Sequence, residues 1–257
     1  MSGRLFITGD THGTGINRLS ERNWPMSRQL DKNDYVVVCG DFGLVWNAAG
    51  EDRTESWWLD WLDQAPFTTL FLDGNHENFD RLGALPKEQW HGGGVHFIRP
   101  SVIHLMRGEV FNLCGLKTFV MGGAISIDKA SREPGISWWP QEVPDDKELA
   151  AGIRALDDHE RKVDLVLSHE APLNIKRAIL AGCGSGYGNH ASDPVSNYLQ
   201  WVDESCSWKL WFFGHHHEDR SFGEGAQYRM LFHDIVEVTR DDRDDLDYQV
   251  VNDRGIS

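Results

Sequence analysis

Leu5-Phe6-Ile7-Thr8-Gly9-Asp10-Thr11-His12-Gly13 sets the pattern of this sequence: a short apolar run, then glycine, a carboxylate and an imidazole. The pattern returns in Tyr35-Val36-Val37-Val38-Cys39-Gly40-Asp41-Phe42-Gly43 and in Thr68-Thr69-Leu70-Phe71-Leu72-Asp73-Gly74-Asn75-His76-Glu77. Two later apolar runs, 163–167 and 208–213, lead into Ser168-His169-Glu170 and Gly214-His215-His216-His217. Runs this short, rich in β-branched and aromatic residues and stopped by glycine or polar residues, predict buried strands. Between the second and third strands lies 53–65, whose Trp57, Trp58, Trp61 and Leu62 recur at helical spacing and are assigned to the core. The β-α-β order predicts a parallel sheet with its site at the C-terminal ends of the strands.

Further along, 102–106, 109–114 and 118–121 are joined through Arg107-Gly108 and Gly115-Leu116, which predicts a β-meander. The stretch 144–162 places Leu149, Ile153 and Leu156 on one helical face. Ser192-Asp193-Pro194 offers an N-cap and a first-turn proline for a helix running to about 204. Strands at 229–232 and 235–238 follow, so a sheet with parallel and antiparallel parts, covered by helices, is expected. The main domain is assigned to 1–240. Residues 240–257 set six aspartates against three arginines, and 241–257 is read as a solvated acidic tail.

The 257 residues carry 40 Asp+Glu against 25 Lys+Arg, a net −15 that disfavours long nucleic acid and anionic membrane as partners. Cys39, Cys114, Cys183 and Cys206 include no C-x-x-C pair, so neither a disulfide framework nor a structural zinc module is expected. No stretch approaches the roughly 18 apolar residues of a membrane span, and the N-terminal run is too short for a signal peptide. A soluble, cytoplasmic protein is expected.

Chemistry concentrates in the five strings. Asp10 and His12 stand two apart, as do His215 and His217, which on extended backbone puts each pair on one face. Mixed oxygen and nitrogen donors suit first-row divalent ions better than Ca²⁺ or Mg²⁺ alone. Seven candidate ligands fit two ions sharing a carboxylate. His216 points away by alternation and is read as a substrate-side or structural residue. His91, His96, His104, His159, His190 and His233 are read as structural.

The order D-x-H, G-D, G-N-H-E, H, G-H-x-H resembles the calcineurin-like metallophosphoesterases, over residues 10–217. The resemblance implies an α/β fold, a sandwich of two mixed β-sheets flanked by helices. It implies one metal on Asp10, His12 and His217, another on Asn75, His169 and His215, and Asp41 bridging them. The two divalent ions are expected to be manganese first, then iron, zinc, nickel or cobalt. A hydroxide between them attacks phosphorus in line, His76 protonates or stabilises the departing oxygen, and Glu77 orients His76. The Ser/Thr phosphatase branch carries D-R-G after the second motif, where this chain has Asp41-Phe42-Gly43. Small phosphodiesters, nucleotides or phosphomonoesters are therefore expected, ahead of a phosphoprotein or a metal-bearing scaffold without turnover. Lys129 and Arg132, in the loop-like 122–132, are expected to meet the phosphate. Trp138 and Trp139 are read as base-stacking or as buried anchors, and 182–190 as a substrate loop or plain connector.

Overall fold

The computed structural model describes residues 3–182 and 192–252. The chain opens with β1 (Leu5–Thr8), β2 (Tyr35–Cys39), α1 (Arg53–Gln64), β3 (Thr68–Leu72) and α2 (Phe79–Gly83). Next come β4 (Glu88–Trp90), β5 (Gly93–Arg99), β6 (Val102–Leu105), β7 (Glu109–Leu113) and β8 (Leu116–Met121). After α3 (Asp146–Asp158), β9 (Leu165–Ser168), α4 (Leu173–Gly182) and α5 (Pro194–Ser205), the chain ends in five strands. These are β10 (Leu210–Phe213), β11 (Arg220–Phe222), β12 (Tyr228–Met230), β13 (Ile235–Arg240) and β14 (Leu246–Val250).

One sheet has eight strands in the order β14-β13-β1-β2-β3-β6-β5-β4, the other six in the order β11-β12-β10-β9-β8-β7. The centre of each is parallel and its outer strands antiparallel. Alternation explains why the central runs are apolar throughout: both faces are covered. Ile7, Val37 and Leu70 meet Val120, Leu165, Leu167 and Phe212 between the sheets. Phe6, Val36 and Phe71 pack on the opposite face with Leu59 and Leu62 of α1. Phe119, Val166 and Trp211 pack with Leu156 of α3 and Leu199 of α5. The sandwich implied by the family resemblance is therefore the observed architecture.

The helix caps follow local chemistry. Asp193 accepts from Val195 N and Ser196 N with Pro194 in the first turn, and Asp145 with Glu148 closes a capping box on α3.

Four expectations need correction. The middle strands form no meander: β6 pairs with β3 and β5, while β7 pairs with β8 in the other sheet. The crossing falls at Arg107-Gly108, where Arg107 turns inward onto Asp73 and Gly108 takes φ 77°. The strands β4, β5 and β11 carry weak apolar signals and were not anticipated. Trp57 is 59% exposed, because α1 buries the i, i+4, i+7 row of Glu55, Leu59 and Leu62; Trp58 and Trp61 are half-buried. Finally, the acidic stretch is not all tail. Within it, β14 pairs with β13 through Val250, and Leu246 and Tyr248 pack on the inter-sheet core. Their alternation was hidden among aspartates.

Candidate metal centre

The five strings do converge, at the C-terminal ends of β1, β2 and β3 from one sheet and of β9 and β10 from the other. They do so as turns rather than as strand continuations. His12, Asp41, His215 and His217 all take positive φ, at 42°, 46°, 66° and 53°. Four non-glycine residues in this sparsely populated region mark a backbone held by its surroundings. Strand alternation is thus not what aligns His12 with Asp10 or His217 with His215. The glycines beside them admit close approach: a Cβ on Gly74 would sit 2.0 Å from Asp41 Oδ1, and one on Gly214 2.2 Å from Asp10 Oδ1.

Asp10, His12, Asp41 and His217 form one group whose ligand atoms lie within 4.8 Å of one another. The Nε2 atoms of His12 and His217 face each other at 2.9 Å. His217 Nε2 lies 3.1 Å from the buried Asp10 Oδ2, on which no hydrogen-bond donor is properly aligned. His12 Nε2 is 3.8 Å from both Asp10 Oδ2 and Asp41 Oδ2.

On the other side of Asp41, His169 Nδ1 bonds the Cys39 carbonyl at 2.9 Å. A carbonyl only accepts, so Nδ1 carries the proton, and in the neutral ring Nε2 keeps its lone pair for an ion. That Nε2 faces Asn75 Oδ1 at 3.1 Å and Asp41 Oδ1 at 3.4 Å, so three acceptors meet. Such a convergence of acceptors suits a cation, and the donors of each group would fit a divalent ion. The His215 ring lies 5.0 Å from that of His169, and its backbone N donates to Asp10 Oδ1.

Electrostatics agree. Burial alone raises the Asp10 carboxyl, yet His217 and His169 outweigh it and hold the group below the usual carboxylate range. Burial raises Asp41, and Asp10 adds to the effect. Burial lowers His169, but Asp41 and Asp10 pull its pKa above the ordinary value, as a field that attracts positive charge must.

The remaining candidates divide. His76 Nε2 stands 3.4 Å from Arg132 Nη2, with its ring 5.5 Å from that of His12. Burial lowers its pKa, Arg132 and His12 lower it further, and Asp41 opposes them. Arg132 is locked by Asp128 Oδ1 at 2.8 Å and the Ser137 carbonyl at 3.1 Å. Lys129 instead lies over the Trp138 ring, with Nζ 5.9 Å from its centroid. Glu77 does not touch the His76 ring; it is buried and accepts from Phe42 N at 2.7 Å, fastening the turn after Asp41. His216 lines the recess beside His76 while its Nε2 bonds the buried Glu170 at 2.8 Å. Glu170 also takes Lys176 Nζ at 2.5 Å; burial raises its carboxyl, but His216, His215 and Lys176 carry it well below the usual range. Trp139 is a buried anchor, with Nε1 on Asp80 at 2.9 Å. The stretch 183–190, with Cys183 and His190, lies outside the described residues.

Two residues carried no sequence signal at all. Asn75 Nδ2 donates to Ser126 Oγ at 3.0 Å. Ser126 in turn donates to the buried Glu142, from Oγ at 2.5 Å and from N at 3.0 Å. Nothing in the spacing of Asn75, Ser126 and Glu142 announces that chain.

The sandwich and the donor set together are those of the metallophosphoesterase fold class. The chain belongs to the calcineurin-like phosphoesterase family, whose model matches residues 3–219. It is 27% identical over 120 residues to a lariat debranching enzyme from Schizosaccharomyces pombe; the match spans 45% of this chain and about a quarter, 24%, of that relative. Among solved structures it is similar to a phosphopantetheinyl hydrolase from Mycobacterium tuberculosis, with TM-score 0.45, 15% identity and 90% of both chains covered. It is also similar to a protein serine/threonine phosphatase from Saccharomyces cerevisiae, with TM-score 0.38 and 11% identity, over 100% of this chain and 82% of that one. Among the described residues no helix is long and apolar enough to cross a membrane.

Proposed function

We propose that the chain hydrolyses small phosphate esters (phosphodiesters, nucleotides or phosphomonoesters) at a centre of two divalent ions. Manganese comes first, with iron, zinc, nickel and cobalt as the other ions, and the cytoplasm is the compartment. The observation that supports this reading is the position of Asp41. Its Oδ2 faces the Asp10, His12 and His217 group, while its Oδ1 faces His169 beside Asn75 and His215. One carboxylate thus stands between two donor sets, which would each hold an ion. When bound, the ions supply a water acidified for attack on phosphorus and neutralise the non-bridging oxygens.

The chain's own residues do the rest. His76, at the rim of both donor sets, would protonate or stabilise the departing ester oxygen as the P–O bond breaks. Arg132 holds fixed positive charge 3.4 Å from His76 Nε2, in reach of a phosphate. The hydroxyl that joins phosphorus comes from water, so no covalent bond to the protein forms. The net −15 keeps long nucleic acid outside the proposal.

The test is a metal-reconstituted assay with a diester, a monoester and a phosphopeptide in parallel. Turnover of the small esters is expected. Absence of turnover with every first-row ion, despite demonstrated metal binding, would overturn the reading in favour of a scaffold. His76→Ala should keep its metal and lose most turnover of esters with poor leaving groups.

A further inference from the structure

His76 belongs to two recesses. One, about 280 Å³, runs past Asn75 and His215 to Ile125, Ile127 and Leu180. The other, about 230 Å³, is bounded by His12, Gly43 and Trp46. An ester phosphorus held beside His76 therefore has space on both sides. A monoester has one organic arm and fills one recess; a diester fills both.

The walls differ in chemistry. Trp46 lies 5.9 Å from the His76 ring, centroid to centroid, and 5.5 Å edge-to-face from the buried Trp139. Its backbone N donates to Glu55 at 2.8 Å and its carbonyl accepts from Asn78 at 3.1 Å. It is a fixed aromatic wall, suited to a planar ring. Across His76, Ile127 is 74% exposed, although apolar surface is ordinarily withdrawn from water. Ile125 and Leu180 are half-buried beside it. The charged side chains of that recess are either proposed metal donors (Asp41, His215 and His217) or paired within the protein. Lys176 binds Glu170 and Asp193 at 2.5 and 2.7 Å, Asp128 binds Arg132 at 2.8 Å, and His216 binds Glu170. An uncharged aliphatic arm is what such a wall accommodates.

We propose that the preferred substrate is a mixed phosphodiester: a planar aromatic arm against Trp46 and an uncharged aliphatic arm along Ile125, Ile127 and Leu180. This rests on the phosphoesterase reading above. In the reaction one P–O ester bond breaks, water delivers hydroxyl to phosphorus and a proton ends on the departing oxygen. The products are one phosphomonoester and one alcohol or phenol.

The experiment uses the full chain loaded with Mn²⁺ and p-nitrophenyl phosphodiesters bearing methyl, butyl or hexyl arms, with a carboxypentyl diester and p-nitrophenyl phosphate as comparators. Burying methylenes is expected to raise kcat/KM by roughly fourfold per carbon until the recess fills. The carboxypentyl diester should forfeit that gain, and Ile127→Asp should flatten the alkyl series. Trp46→Leu should lower kcat/KM on the order of tenfold at every alkyl length. Trp46→Phe, which keeps a ring, should recover most of it, separating the aromatic wall from a folding defect. A flat alkyl series, or a monoester turned over as well as the hexyl diester, would overturn the proposal and leave the phosphoesterase reading standing. No turnover of any ester would overturn that reading and this proposal with it.

Discussion

Glu142→Gln changes one group two hydrogen bonds away from the proposed ligand Asn75, and it should cost the protein a metal. The reasoning is proton bookkeeping along Glu142, Ser126 and Asn75. The carboxylate only accepts, so it takes both the Ser126 N–H and the Ser126 hydroxyl proton. Ser126 Oγ, its proton committed, can only accept, and Asn75 must offer Nδ2 to it. The other end of the amide, Oδ1, is thereby aimed at His169 Nε2, 3.1 Å away. A glutamine at 142 keeps its Oε1 on the Ser126 N–H and turns an NH₂ toward Oγ. The hydroxyl proton is released toward Asn75. Either two donors then face each other, at about 1–3 kcal/mol, or the Asn75 amide flips and presents hydrogens where a lone pair belongs.

Both outcomes predict a metal affinity roughly 10- to 100-fold weaker at the Asn75–His169 set, the usual effect of losing a partner that orients a ligand. Metal stoichiometry by elemental analysis after dialysis, with Mn²⁺ titration by calorimetry, reads it directly. Wild type should hold two ions and Glu142→Gln one at limiting Mn²⁺, with the second site regained at high Mn²⁺. Ser126→Ala should behave similarly, and Ser126→Thr, which restores a hydroxyl, should load normally. A Glu142→Gln protein that folds and binds both ions with wild-type affinity would refute the argument.

Other expectations concern stability. Arg107 is buried against Asp73, whose carboxyl burial raises but Arg107 and His104 carry below the usual range. Arg107→Met should cost about 3–5 kcal/mol by leaving that buried carboxylate with His104 alone and no guanidinium, and a loss under about 1 kcal/mol in urea denaturation would contradict this. His96, with Nδ1 3.1 Å from that of His104, has a pKa lowered to about 4 by burial, His104 and Lys87. Because the unfolded ring titrates near 6.5, the unfolded state binds more protons between those values, so stability falls as pH drops from about 6.5 to 4. The effect is at most about 3 kcal/mol and should shrink in His96→Gln when melts are compared across that range. Saturating Mn²⁺ at about 100 times Kd should add roughly 2.7 kcal/mol per site, or about 5–10 °C in Tm. Asp41→Asn, which weakens both sets, should lose most of that shift, and an unchanged shift would remove Asp41 from the bridging position.

The strands that carry the site were legible because burial on both faces makes them continuous apolar runs, as in Tyr35–Cys39, buried along its whole length. The candidate donors were legible because each follows such a run directly. Strand alternation was the wrong reason for their alignment: His12 and His217 reach Asp10 through left-handed turns, a conformation that spacing does not encode. Edge strands such as β14 were illegible because only one face packs, and its Leu246 and Tyr248 are interleaved with charge. Glu77 and His216 make contacts that their places beside ligands did not indicate. Proximity in sequence to a ligand says nothing of direction, and both side chains turn inward, to Phe42 N and Glu170.

One segment connects specificity to metal binding. Between β8 and α3, residues 122–142 supply Ser126 and Glu142 behind Asn75, Ile125 and Ile127 along one recess, Arg132 at His76, and Trp139 behind Trp46. Ser126 sits between two isoleucines of the recess wall, so the backbone that shapes the path proposed for the aliphatic arm also sets the Asn75 amide. A substitution that displaces this segment should therefore change alkyl-chain preference and the affinity of the Asn75–His169 set together, whereas one at Asp10, which does not line that recess, should change metal affinity and leave the chain-length ratio intact. Measuring both quantities on Ser126→Ala and Asp10→Asn separates the two cases. Independent variation of the two in Ser126→Ala would show that the wall and the ligand are not mechanically joined.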